Sequence, residues 1–220
     1  MKVAIIGACG KLGTKLVRES LRRGCQVAAV CRDSSVGRLG AFSDRDGFTV
    51  SSAPVVSDEA ILAQALDGCD AVVAILIAVR RLKATALVAS LAKATTINGV
   101  KRLVFTSGEV TAVPEADETL TLRQRIMMAV VPPITWFTPY SMGDMLKASM
   151  LIRQQSDWEW TIVRAPTLRD AQPEGYRLCK ISEITAAHTF SREDYAACLL
   201  DSLGNPAHHR RALAVVAADT

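Results

Sequence analysis

The sequence has no run of about 18 uninterrupted apolar residues, the length that a membrane-spanning helix requires. Its longest apolar run, residues 71–79, is closed by Arg80 and Arg81, so no membrane partner is expected. Met1 and Lys2 lead directly into the first apolar run, so no cleavable signal peptide is expected. There is no CxxC pair: Cys9, Cys25, Cys31, Cys69, Cys179 and Cys198 are dispersed, and His188, His208 and His209 show no metal-ligand spacing. Reduced thiols in a cytoplasmic protein are therefore expected, most of them small core fillers, without a structural metal or a disulfide framework. A basic stripe is also missing. The net charge of +4 is carried by scattered residues, including the pairs Arg22-Arg23, Arg80-Arg81 and Arg210-Arg211, so nucleic acid is not an expected partner. No repeat, low-complexity tract or linker divides the chain. With 220 residues, 50% of them hydrophobic and 22% charged, it reads as one soluble domain spanning 1–220.

What is present is an alternation of short apolar runs with longer segments of helical period, the pattern of βαβ units around a parallel sheet. Residues 3–6 read as a strand and 11–23 as a helix, with Leu12, Leu16, Val17 and Leu21 at helical spacing and Gly24 ending it. Further strands are expected at 26–31, 48–50, 71–77, 103–106, 158–163 and 212–216. Their continuous apolar character suits a sheet covered on both faces. Helices are expected at 58–66, 82–98, 141–155 and 191–202, the last capped by Ser191. Residues 109–140 hold Pro114, Pro132, Pro133 and Pro139 and no single period, so they read as a substrate-side excursion, as do residues 167–190. The expected architecture is α/β: a single Rossmann-type, doubly wound parallel sheet with helices on both faces and a small C-terminal substrate-binding region.

The strongest chemical signal is Gly7-Ala8-Cys9-Gly10-Lys11-Leu12-Gly13, placed between an apolar strand and an amphipathic helix. Gly7 allows the sharp turn off the strand, Gly10 lets the backbone approach a pyrophosphate, and Gly13 permits close helix–strand packing. The helix N-terminus adds unpaired N–H groups and the positive end of a dipole. About 20 residues on, where a carboxylate would accept the ribose hydroxyls of NAD, stands Cys31-Arg32-Asp33-Ser34-Ser35. A guanidinium suits a phosphate dianion through paired donors, so Arg32 with Ser34 and Ser35 favours NADP(H) over NAD(H). Cys9 lies where a helix terminus could lower a thiol pKa.

These two motifs resemble those of the atypical short-chain dehydrogenase/reductase proteins, especially NmrA-like proteins and the flavin reductase/biliverdin reductase B type. The resemblance continues through Asp70-Ala71-Val72-Val73, Val100-Lys101-Arg102-Leu103-Val104-Phe105-Thr106-Ser107, Val131-Pro132-Pro133, the helix carrying Lys147, Trp160-Thr161-Ile162-Val163-Arg164-Ala165-Pro166-Thr167-Leu168, and Phe190-Ser191-Arg192-Glu193-Asp194-Tyr195-Ala196. It implies that the glycine turn, from Gly7 through Ala8, Cys9, Gly10, Lys11 and Leu12 to Gly13, binds the pyrophosphate. Arg32, Ser34 and Ser35 would take the 2′-phosphate, and Ile75, Leu76 and Ile77, on toward Ala78, would pass beside the cofactor. Thr106, Ser107 and Gly108 would lie near the nicotinamide ribose, Lys147 would bond that ribose, and Ala165, Pro166, Thr167 and Leu168 would flank the nicotinamide amide.

The departures bear on catalysis. Conventional members use a Tyr-x-x-x-Lys pair, in which the lysine lowers the pKa of a proton-shuttling tyrosine. Here Asp144 stands four residues after Tyr140, and Gly143 stands four before Lys147. Ser107, Lys147 and Tyr140 remain the candidate catalytic residues. Pro54 occupies a position where these proteins often place an aspartate beside the adenine. Trp136, Phe137, Tyr140 and Met142 would form either an apolar wall for a flat substrate or a lid over the core, and His188 would reach the substrate pocket. The reading that follows is an NADPH-dependent reductase of a conjugated small molecule (a flavin, tetrapyrrole or quinone-like compound), acting as a monomer or homodimer. The alternatives are a non-catalytic NADP(H) sensor of the NmrA-like type and a non-redox isomerase or cyclase on the same fold.

Overall fold

The computed structural model describes residues 1–77, 79, 82–109, 118–134, 141–185 and 188–218, with only the backbone described at 131–134. Strand β1 (Lys2–Ile6) leads through the glycine turn into α1 (Lys11–Arg22), and β2 (Gln26–Arg32) follows. A 3₁₀ segment at Asp33–Phe42 precedes β3 (Phe48–Ala53), α2 (Glu59–Ala65), β4 (Ala71–Ala74), α3 (Ala84–Asn98) and β5 (Arg102–Gly108). Then come α4 (Leu122–Ile134), α5 (Met142–Gln154), β6 (Glu159–Ala165), β7 (Thr167–Arg169), β8 (Tyr176–Cys179), β9 (Thr189–Ser191), α6 (Arg192–Leu203) and β10 (Arg211–Ala217).

The main sheet runs β3-β2-β1-β4-β5-β6-β10-β8, and every pairing is parallel except that of β10 with β8. Alternation along the strands divides the core in two. Ala4, Ile6, Val30, Val72, Ala74, Leu103 and Phe105 face α2, α3 and α5. Val3, Ile5, Val27, Ala29, Ala71, Val73 and Val104 face α1 and α6. Burial on both faces explains why these strands read as unbroken apolar runs. The order in which strands are added reverses between β1 and β4, and in a doubly wound sheet ligands bind at the carboxyl ends of the strands beside that switch. The sheet thus fixes the place of the site before any side chain is considered.

Two segments differ from the expectation. Strand β4 stops at Ala74 rather than at 77; Ile75 keeps one ladder bond, its N–H donating to Ile6 O at 3.0 Å, and the chain then peels away. The excursion at 109–140 contains α4. Its prolines fall only in the last turn, and its pattern is inverted: Gln124 is buried while Leu122, Ile126 and Val130 face outward. The Gln124 amide donates to Glu109 Oε1 at 2.8 Å and to Ile181 O at 2.7 Å, and Arg123 pairs with Glu109. A helix held inward by polar bonds shows no apolar period facing the core. Farther along the chain, β7 pairs with β9, and β8 extends the main sheet.

Candidate functional site

The glycine turn is pinned to the neighbouring strand, with Gly7 N and Ala8 N both donating to Val30 O, at 2.9 and 3.1 Å. Gly7 adopts φ +89°, a conformation that L side chains rarely take. A Cβ at Gly13 would sit 2.3 Å from Gly7 O and 2.5 Å from Ala8 O, so only glycine lets α1 approach the turn this closely. Gly10 differs. Its φ of −73° suits any residue, and a Cβ there would meet only Gly7 O, at 3.4 Å. The fold does not demand glycine at this position; the space its missing side chain leaves open is the cleft itself.

Helix α1 starts at Gly10 with no side-chain cap and no acidic residue in its first turn. Its first amides therefore lack intrahelical partners and face the cleft. Helices α2 and α6 are closed by Asp58 and by Ser191, respectively. Helix α1 thus presents an open terminus suited to an anion at the cleft.

Two clefts flank this turn. The first is lined by Cys9, Cys31, Arg32, Ser35 and Arg38, by Val55, Val56 and Ser57 after β3, and by Leu82, Lys83, Ala84, Ala86 and Leu87 at the start of α3. The second is lined by Lys11, Leu12 and Gly13, by Thr106, Ser107 and Gly108, by Ala165, Pro166 and Leu168, and by Tyr195. Gly7, Gly10, Ile75, Leu76 and Ile77 line both, so the two form one groove that passes over the glycine turn. A diphosphate at the turn would leave one cleft for each half of a dinucleotide, and the residues present fit that group.

Among the described residues no carboxylate lines the first cleft, and Asp33 is not part of its lining. Arg32 and Arg38 are exposed, and among the described residues neither guanidinium has a protein hydrogen-bond or ion-pair partner. Arg38, Val55, Val56, Ser57, Leu82, Lys83, Ala84, Ala86 and Leu87 in the first cleft and Tyr195 in the second are lining residues that sequence reasoning missed. Arg38 lies six residues past Arg32 in a 3₁₀ turn that has no periodic signature. The segments after β3 and before α3 reach the cleft only through the fold.

In the second cleft, Thr106 Oγ1 accepts from Leu76 N at 3.0 Å and donates to Leu76 O at 3.3 Å, which ties the chain after β4 to β5. Ser107 N donates to Tyr195 Oη at 3.3 Å, and Ser107 Oγ donates to Gly108 O at 3.3 Å. Tyr195 is fully buried and its hydroxyl donates to Val163 O at 2.7 Å. Burial raises its pKa well above the usual phenol range. Burial, and then the adjacent Cys9 thiol, push the Cys31 thiol up to about 12.

Several expected site residues are not brought together. Lys147 is exposed on α5 and lines neither cleft; Ser34 and Thr167 are exposed outside the lining, and Ala8 is buried in the core behind the turn. His188 lines neither cleft, and its Nδ1 accepts from Thr185 N at 3.3 Å. Tyr140, Trp136, Phe137 and Ala78 lie outside the described residues. Asp144, at the position noted in the sequence, has a structural role. Its carboxylate accepts from Ala84 N at 2.6 Å, Thr85 N at 3.4 Å and Thr85 Oγ1 at 2.6 Å, and so caps α3 from α5. All six cysteines are free. Among the described residues no group of three or more His, Cys, Asp or Glu side chains could hold a metal, and no helix is long and apolar enough to cross a membrane.

A short-chain dehydrogenase/reductase from Veillonella parvula, solved in complex with NADP, superposes with a TM-score of 0.77 at 19% identity, covering 100% of this chain and 95% of that one. An anaerobillin reductase from Escherichia coli O157:H7 gives 0.74 at 13% identity, covering 100% and 98%. A protein from Lactobacillus casei gives 0.75 at 23% identity, covering all of both chains. At these identities the likeness establishes the fold. Among curated proteins none matches the sequence. The family model described as NAD(P)H-binding matches residues 7–206, from the first glycine of the turn to beyond the last helix. On that match, and with the fold of the short-chain dehydrogenase/reductases, the chain belongs to the NAD(P)H-binding family.

Proposed function

We propose that the protein is an NADPH-dependent reductase of a conjugated small molecule, such as a flavin, a tetrapyrrole or a quinone. The observation that carries this reading is the continuous groove over Gly10, open where a side chain would otherwise lie, with two unpaired guanidinia at one end. The first-turn amides of α1 hold the diphosphate. Arg32 and Arg38 hold the 2′-phosphate, which favours NADP(H) over NAD(H). Val55 and Ile77, exposed large apolar residues in the first cleft, offer a surface for the adenine. When bound, the reduced dinucleotide supplies a hydride to the acceptor.

The chain's own contribution in the second cleft is orientation and exclusion of water. Ala165, Pro166 and Leu168 present an apolar wall, and Thr106 and Tyr195 are occupied by backbone bonds. That cleft suits an acceptor that takes its proton from solvent, which fits a conjugated ring better than an isolated ketone. The NADP complex from Veillonella parvula and the anaerobillin reductase share only architecture with this chain, so the substrate class rests on the cleft. The free cysteines accord with a cytoplasmic location.

The test is to mix pure protein with NADPH and a panel of flavins, quinones and linear tetrapyrroles and to follow the nicotinamide absorbance. Turnover of one acceptor class supports the reductase. Tight NADP+ binding without turnover of any acceptor supports the sensor reading, which Lys147's distance from the clefts and the structural use of Asp144 favour.

A further inference from the structure

Two of the six thiols belong to the cleft. Cys9 follows Ala8 in the glycine turn and Cys31 follows Val30 in β2. Because Gly7 N and Ala8 N both bond Val30 O, the two cysteines are held side by side. Both belong to the apolar cluster under α1, and both line the first cleft. Cys9 is 4% exposed and Cys31 is 1% exposed, so a reagent reaches them through the cleft rather than from the outer surface. The other four cysteines do not line this cleft.

We propose that Cys9 and Cys31 form a redox-modifiable dithiol whose conversion to a disulfide and the binding of dinucleotide exclude one another. The inference rests on the dinucleotide reading of the groove. The oxidant is a hydroperoxide small enough to enter the empty cleft. The Cys9 sulfur, as thiolate, attacks the O–O bond, takes one oxygen as a sulfenic acid and releases the other as water. The Cys31 sulfur then displaces the sulfenic oxygen, which leaves as a second water, and the S–S bond forms. In total the two thiols lose two electrons and two protons, and one hydrogen peroxide becomes two waters. Cys9, the less buried of the two at the cleft, attacks first.

Closing two sulfurs to a bond of about 2.05 Å draws the turn toward β2. Cys9 lies between Gly7 and Gly10, so the pull deforms the segment that must approach the diphosphate. In the other direction, a bound dinucleotide covers the cleft and shields both thiols.

The experiment treats reduced protein with hydrogen peroxide, with and without saturating NADP+, and reads intact mass, a peptide map and NADP+ affinity. The expected result is a loss of two hydrogens mapped to a Cys9–Cys31 link and NADP+ affinity lowered by at least about tenfold. Dithiothreitol restores that affinity, and prior NADP+ slows the linkage. In Cys9→Ser and in Cys31→Ser protein, whatever the starting NADP+ affinity, peroxide and dithiothreitol leave each variant's own value unchanged. The proposal is overturned if Cys9 and Cys31 stay unlinked while half-buried Cys25 and Cys179 oxidise. It is also overturned if the linked protein binds NADP+ as before, or if NADP+ gives no protection. Reduced protein that binds no NADP+ overturns the dinucleotide reading together with this one, whereas normal binding without linkage overturns this one alone.

Discussion

Gly10→Val separates the needs of the fold from those of the ligand. The backbone at Gly10 is already in a conformation open to valine, and the only protein atom near a new Cβ is Gly7 O at 3.4 Å. The structural cost is that of a poorer N-cap residue, about 1 kcal/mol. For a chain of this size that lowers Tm by about 2–4 °C. The isopropyl group would instead occupy the cleft in front of the first α1 amides. Loss of two N–H bonds to a charged oxygen, at about 1.5–3 kcal/mol each, weakens the dinucleotide by at least about 100-fold. Thermal unfolding and NADP+ titration on the same preparation read both quantities. The opposite balance is expected for Gly13→Ala, whose Cβ would meet Gly7 O at 2.3 Å, so the turn must move and stability falls with binding. A Gly10→Val protein that binds NADP+ within threefold of the parent would refute the placement of the diphosphate at this turn.

Replacing Arg32 or Arg38 with alanine is expected to weaken NADPH by about tenfold or more and to change NADH by much less; equal losses for both nucleotides would show that neither guanidinium meets the 2′-phosphate. Asp144→Ala removes the carboxylate that accepts from Ala84 N and Thr85 and is expected to cost about 1–2 kcal/mol in denaturant unfolding, with the reductase or binding signal otherwise retained. Glu19 hydrogen-bonds Arg22 and Arg23, and chiefly the Arg22 bond, against the opposing effect of burial, holds its carboxyl at about 2, below the ordinary 4.5. The unfolded chain binds the proton more readily in that window, so this contribution is complete above pH 4.5 and is lost as pH falls toward 2. Glu19→Gln should flatten that part of the stability profile, and an unchanged slope in urea unfolding across the window would contradict the pairing.

What the sequence made legible was local. The turn from β1 into α1 and the tail of β2 are contiguous, and their glycines and arginine carry meaning at fixed spacing. Strands were legible because burial on both faces leaves them no polar alternation. The rest of the groove was not, because it is assembled by crossovers: Ser57 and Leu87 are 30 residues apart and meet only across the cleft. Helix α4 was hidden because its inward contacts are made by Gln124 and Arg123 rather than by a leucine stripe. Lys147 was assigned through family likeness, and its helix is oriented by packing: Met145, Ala148 and Ile152 face the core, which turns Lys147 outward.

The most direct measurement is calorimetric titration of the reduced, folded protein with NADP+ and with NAD+. The groove and its arginine pair require saturable heat with NADP+ at a lower Kd than with NAD+. Folded protein that shows no saturable binding of either nucleotide would contradict the account at its root.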